Sequence, residues 1–288
     1  TQSTKVELRD QSTGIVVGFG SSPHPAVTAP RSEQDPRSWL SAFENALAAA
    51  RASVATSVAD AAVAAVSIGG QQHGMVALDV DGQPVHPAKL WNDSESADDA
   101  AWLIDHYEGS FPESVGSLPV AAFTVTKLSW LHRTHPEAWK NMSRVMLPHD
   151  YVTAYLTGGF TTDRGDASGT GYWSPSAGEY RWDILGLIDG TRDWSTHVPA
   201  VLGPLDVAGR WNGAIVAPGT GDNMAGALGV GLRPGDAVIS VGTSGTVYAV
   251  SDDPTADPTG TVAGFADATG RFLPLVCTSN AAKVLDAV

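Results

Sequence analysis

Cysteine is almost absent: the 288 residues contain one, Cys277. No internal disulfide can form, which fits a reducing cytoplasm and excludes a disulfide-stapled secreted scaffold. Cys277 follows the apolar run Phe272-Leu273-Pro274-Leu275-Val276 and reads as a buried, inert thiol. Basic residues are also scarce, 17 Lys and Arg against 31 Asp and Glu, a formal net charge of −14. Such a surface repels phosphodiester backbones and anionic lipid head groups, so neither nucleic acid nor membrane is an expected partner. No apolar stretch is long enough to span a bilayer, and the opening residues do not read as a signal peptide. There is no Cys and His metal-ligand spacing, no GxSxG elbow, no P-loop and no GxGxxG. Structural zinc and common hydrolase or dinucleotide-binding arrangements therefore lack their signatures.

What is present is globular. Hydrophobic residues make up 43% and charged residues 17%, and nine Trp add large apolar surfaces. The length suits one large domain or two ordinary ones. Strands are predicted over Lys5–Leu8 and Thr13–Gly20, joined by the turn formers Asp10-Gln11-Ser12. Trp39, Leu40, Phe43 and Leu47 recur at helical spacing ahead of an Ala-rich segment. Ala61–Ile68 reads as a buried strand that delivers Gly69-Gly70. Asp81-Gly82 signals a hairpin. Helices are expected near Ser96–Tyr107, Thr126–His135 and Asp150–Leu156, the last stopped at Gly158-Gly159. From Gly213 onward, Ala214–Val216 and Ala237–Val241 read as strands, Met224–Leu232 as a helix, and Val247–Val250 as a strand.

Four segments carry chemistry. In Gly219-Thr220-Gly221-Asp222-Asn223, a carboxylate opens a helix behind small residues, where it can orient an attacking alcohol and accept its proton. The plainer alternative is that Asp222 is only an N-cap. In Gly242-Thr243-Ser244-Gly245-Thr246, glycines let backbone N–H groups converge on a phosphate and hydroxyls add donors; an ordinary hairpin turn is the alternative. Thr1-Gln2-Ser3-Thr4-Lys5 is a second hydroxyl-rich segment, or a frayed terminus. In Gly69-Gly70-Gln71-Gln72-His73-Gly74, amide and imidazole groups that both donate and accept suit a neutral polyol. Trp91-Asn92-Asp93 repeats this theme with an aromatic face, against the alternative of a helix-entry turn with a core Trp.

Together these stretches resemble the FGGY family of carbohydrate kinases. The resemblance is carried by Gly70-Gln71-Gln72-His73-Gly74, Leu90-Trp91-Asn92-Asp93, Thr126-Lys127-Leu128-Ser129-Trp130-Leu131, Leu147-Pro148-His149-Asp150-Tyr151, Leu156-Thr157-Gly158, Asp166-Ala167-Ser168-Gly169-Thr170, Gly221-Asp222-Asn223 and Gly242-Thr243-Ser244-Gly245-Thr246, in family order over nearly the whole chain.

It implies an α/β, actin-like (RNase H-like) fold of two domains around a cleft, with 1–221 as the sugar-binding domain on a mixed five-stranded sheet and 222–288 as the start of the second. It implies transfer of the γ-phosphoryl of MgATP to a sugar hydroxyl, with D-xylulose the expected acceptor and another ketose or a polyol (ribulose, gluconate, glycerol-like) the alternative. Asp222 is then the expected general base. Gln72 and His73 fall on sugar-binding positions, with Trp91, Asp93 and Asn223 as weaker ones. Gly242, Thr243 and Ser244 match the second phosphate loop, and Thr1, Gln2 and Ser3 the tail of the first.

Three departures stand out. The family's first loop opens with an Mg²⁺-holding Asp three residues before the position of Thr1, preceded by a strand, and the sequence starts after both. Family members continue past Val288, so a piece truncated at both ends is expected, with no metal ligand of its own. Glu95 stands where Arg is common, which puts a salt bridge from that position in doubt. A non-catalytic sugar- or nucleotide-binding relative and an actin-like scaffold are the readings from other classes. The oligomeric state is left open, a homodimer included.

Overall fold

A computed structural model describes residues 2–55, 61–242, 245–278 and 281–282. Ser3–Arg9 and Val16–Pro23 form an antiparallel hairpin, paired from Ser3↔Pro23 to Leu8↔Gly18. The helix Arg37–Ala52 lies across it. The buried face of this helix is Trp39, Ala42, Phe43, Ala46 and Ala50, recurring every three to four residues, which is why this stretch winds as a helix with one side inward. From Ala65 the chain runs beside residues 215–221 in parallel: Ala65–Val66 pairs with Ile215–Val216, and Gly69–Gly70 with Thr220–Gly221. Gly209–Trp211 adds an antiparallel strand through Asn212-Gly213, both at positive φ as a tight hairpin requires.

The expected five-stranded sheet is not continuous among the described residues. The N-terminal hairpin and the three-stranded piece face each other across a groove of about 1180 Å³, and no backbone hydrogen bond among these residues joins their edges. Side chains still span the gap: Phe43, Leu156 and Val216 cluster with Val6, Leu47, Val66, Ile68 and Trp211.

The expected helices are found at Ala97–His106, Thr124–Thr134 and Pro148–Thr157, and Gly158 at φ 70° ends the last. The first two border the main core, in which Leu103, Leu128, Leu131, Ile184 and Leu185 are fully buried, while the third packs Tyr151 and Leu156 into smaller clusters. Val76–Leu78 pairs antiparallel with Arg144–Met146, and Thr161–Asp163 parallel with Ala200–Leu202.

After the helix Asp222–Gly229 comes an antiparallel sheet in the order Ala237–Val241, Gly245–Ala249, Phe272–Thr278, Ala263–Ala266. Its edge strand Ala263–Ala266 docks on the first part of the chain: Gly264 N–H donates to the Gly116 carbonyl (2.8 Å) and Ala266 N–H to Ser168 Oγ (2.9 Å). Cys277 corrects the sequence expectation. Leu273 and Leu275 are the inward positions of their strand, and past Leu275 the strand leaves the core, so Cys277 is exposed. No helix among the described residues is long and apolar enough to cross a membrane.

Candidate functional site

Two strand ends arrive side by side. Gly69–Gly70 is followed by Gln71-Gln72-His73, and its neighbour Thr220–Gly221 by Asp222-Asn223. Small residues allow this. A Cβ on Gly70 would lie 2.8 Å from His149 Cβ and 3.0 Å from its backbone N, and one on Gly221 would lie 2.6 Å from Gln72 Cγ. The two segments then meet directly, Asn223 Nδ2 donating to Gln72 Oε1 at 2.7 Å across 151 positions of sequence. Gln72 is 4% exposed, and its Nε2 finds no partner among the described residues. A buried amide donor left over at such a junction is a group a ligand hydroxyl can satisfy.

Asp222 is the first residue of the helix Asp222–Gly229, and the cap position belongs to Gly221. The simple N-cap alternative is therefore displaced by one residue. The Asp222 carboxylate accepts the Asn223 N–H at 2.9 Å and is open to solvent on one side. An aspartate carboxyl in water titrates near ~3.9. The wall beside it desolvates the carboxyl and holds its pKa above that value, in the direction that strengthens a base. Tyr248, on the strand Gly245–Ala249, brings its hydroxyl to 3.0 Å from where a Gly226 Cβ would be, one helical turn beyond Asp222.

His73 has φ 67° and stacks on Phe123 at 4.6 Å, with Phe265 tilted against it at 5.4 Å. Its Nδ1 lies 2.6 Å from the Gly169 carbonyl, so Nδ1 carries the proton and Nε2 is left as an acceptor. Burial lowers its pKa to about 3, despite the Gly169 carbonyl. The unfolded chain takes up this proton near ~6.5. The stability that the neutral ring contributes is thus present above ~6.5 and lost as pH falls from there towards about 3. NMR of the imidazole signals should accordingly show His73 neutral and untitrating between about pH 5 and 8. A midpoint near ~6.5 would contradict this environment.

Trp91 and Asn92 are exposed and line the groove, and Gln71 Oε1 accepts the Trp91 N–H at 3.3 Å. Asp93 is placed differently from the sequence expectation. Its side chain is fully buried and its oxygens accept Ser32 N–H (2.8 Å), Lys89 Nζ (2.9 Å) and Glu95 N–H (3.1 Å), so Asp93 anchors the loop instead of offering a free hydroxyl-binding group. Glu95 does form salt bridges, to Lys89 (2.7 Å) and Arg31 (3.2 Å), and these correct the expectation drawn from the missing Arg. Glu33, Asp93 and Glu95 converge as metal ligands would, but the Lys89 ammonium already sits 2.7–3.1 Å from each. Lys89→Ala should therefore cost about 3–5 kcal/mol, the range for leaving buried charge unpaired. The check is the urea midpoint at unchanged m-value; a shift below about 1 kcal/mol would show that these carboxylates do not depend on Lys89.

Of the expected phosphate-binding residues, Thr1, Thr243 and Ser244 lie outside the described residues. Gln2 and Ser3 line the groove together with Gly69, Gly70 and Trp91. Gly242 is exposed at the hairpin turn, and its carbonyl accepts the Ala282 N–H at 2.8 Å. Phe123, Gly169 and Phe265 were not anticipated. Gly169 lies in a quoted motif, but no local signal in Gly264-Phe265-Ala266 marks that aromatic as a neighbour of His73.

The N-terminal domain pattern of the FGGY family of carbohydrate kinases matches residues 1–229, and the chain belongs to this family. Its fold is the actin-like α/β fold of these kinases. It is 49% identical over 301 aligned positions to the xylulose kinase of Streptomyces coelicolor, covering all of this chain and 60% of that protein. It is 35% identical to the xylulose kinase of Haemophilus influenzae, covering 97% of this chain and 60% of that protein. The crystal structure of xylulose kinase from Bifidobacterium adolescentis superposes with a TM-score of 0.88 at 37% identity, covering 100% of this chain and 64% of that one. The chain spans about 60% of the length of the curated relatives it matches.

Proposed function

We propose that this chain belongs to an ATP-dependent kinase that phosphorylates D-xylulose, with residues 1–221 forming the sugar-binding domain and 222–288 opening the nucleotide-binding one. One observation carries the reading: the Asn223–Gln72 hydrogen bond (2.7 Å) draws the Asp222 helix against the Gln72-His73 turn. An acceptor-rich, donor-rich turn thereby stands beside a carboxylate with raised proton affinity. The names of the relatives support xylulose as the acceptor. In this reading Gln72 Nε2 donates to a sugar hydroxyl, His73 Nε2 accepts from one, and Trp91 offers an apolar face. Asp222 takes the proton of the attacking hydroxyl, expected to be O5, as its oxygen bonds to the γ-phosphorus and the bond to the ADP oxygen breaks.

Mg²⁺ is expected with ATP, where it neutralises phosphate charge. The Glu33, Asp93 and Glu95 group does not fit that role, because Lys89 fills it. The partners in this reading are the sugar and MgATP, and the compartment is the cytoplasm.

The test is coupled ADP release by the full-length protein across ketoses and polyols. D-xylulose should give the highest kcat/KM. A preference for ribulose, gluconate or glycerol would reassign the acceptor. ATP turnover indifferent to every sugar would sink the kinase reading.

A further inference from the structure

Beneath the two glycine turns lies a buried group that the proposed chemistry does not use. His149 stands in the first turn of the helix Pro148–Thr157 with no exposed surface. Three carboxylates surround it: Asp166 Oδ2 at 2.6 Å from Nδ1, Asp150 Oδ1 at 3.1 Å and Asp163 Oδ1 at 3.7 Å from Nε2. All three are at most 5% exposed.

We propose that His149 is a positioning residue for the phosphoryl transfer, setting the separation between the Gln72-His73 turn and Asp222. This rests on the kinase reading above.

The contacts converge on it from each side of the site. Gly70 is pressed against the His149 backbone and Cβ. Gly219, at φ +82°, is close enough to the ring that a Cβ there would lie 2.6 Å from His149 Cδ2. His149 is thus a shared floor for both turns, through its backbone and Cβ under Gly70 and through its ring under Gly219. Its ion pairs extend the grip. Asp163 accepts the Thr220 hydroxyl at 2.7 Å, tying the cluster to the residue two before Asp222. The same Asp163 caps the helix Arg164–Ser168, accepting the N–H groups of Gly165 (2.8 Å) and Asp166 (3.0 Å). That helix ends at Gly169, whose carbonyl holds the His73 ring. One buried cation therefore bears on the sugar turn, the base turn and the anchor of His73.

The charge state agrees with the geometry. Burial alone would strip the proton from His149, but Asp150, Asp166 and Asp163 outweigh it and raise its pKa to about 10.

The experiment compares His149→Gln, His149→Lys and Thr220→Val in the full-length protein, assayed by sugar-dependent ADP release well below each variant's melting temperature. His149→Gln removes the cation and should lower kcat by about 10–100-fold, the scale set by a misplaced reacting group. His149→Lys keeps a cation of similar reach and should restore most of the loss. Thr220→Val cuts the tie to Asp163 and should lower kcat several-fold. A merely structural role would lower the melting temperature yet leave kcat of the folded fraction unchanged, and that result overturns the inference. If His149→Gln does not fold, Thr220→Val decides, and wild-type kcat in that variant overturns it. A wild-type protein with no sugar-dependent turnover would instead remove the kinase reading, and this inference with it.

Discussion

Asp222→Asn in the full-length protein is expected to lower kcat for sugar phosphorylation by about 10²–10⁴-fold, the range for a lost general base, with sugar Kd little changed. Asn keeps the size of the side chain and can still accept the Asn223 N–H that Asp222 accepts at 2.9 Å, so the helix start should survive. What disappears is the proton acceptor. A primary alcohol attacks poorly while protonated, and phosphoryl transfer gains otherwise from positioning and from neutralised phosphate charge. Desolvation raises the Asp222 pKa, so the pH–rate profile for kcat/KM should fall on its acid side above the ordinary carboxylate value of ~3.9. Isothermal calorimetry for the sugar and single-turnover kinetics separate binding from chemistry. Near-wild-type kcat in the variant, with chemistry rate-limiting, would reduce Asp222 to a first-turn helix residue.

Gly219→Ala should be the most damaging single-methyl change at the site. Gly219 has φ +82°, a conformation that costs a residue with a Cβ roughly 1–2 kcal/mol. The added carbon would also lie 2.6 Å from His149 Cδ2 and 2.7 Å from the Ile68 carbonyl oxygen, neither of which is a free side-chain end. Overpacking of this kind typically costs a further ~1–3 kcal/mol. We expect a loss of about 2–5 kcal/mol in chemical denaturation, with sugar-dependent turnover falling by more than the unfolded fraction explains, because Thr220 and Asp222 follow immediately. A variant within about 0.5 kcal/mol of wild type would mean that the turn relaxes freely.

Local features of this protein were legible from its residues because they depend on near neighbours. The spacing of Trp39, Leu40, Phe43 and Leu47 writes a one-sided helix, and the structure buries Trp39 and Phe43 and half-buries Leu40 and Leu47. Gly158 ends a helix because it takes φ 70° without strain. Gly69-Gly70 marks a strand end that hands the chain to polar groups, and the structure puts it there. The quoted motifs were enough to place the chain among the FGGY kinases.

Tertiary structure decided whatever required two distant segments to meet. Parallel pairing of Gly69–Gly70 with Thr220–Gly221 is what carries Gln72 to Asn223, and nothing in either segment names the other. Asp93 reads as a polar loop residue until the distant Ser32, together with nearby Lys89, takes up its oxygens. Cys277 follows an apolar run, yet which residues of a strand face inward is set by the layer it packs on, and that layer ends at Leu275. His149 is the sharpest case. Alone it is a polar residue at a helix start, but burial among Asp150, Asp163 and Asp166 makes it a cation beneath the site, because in a dry interior the nearest charges outweigh the loss of solvent.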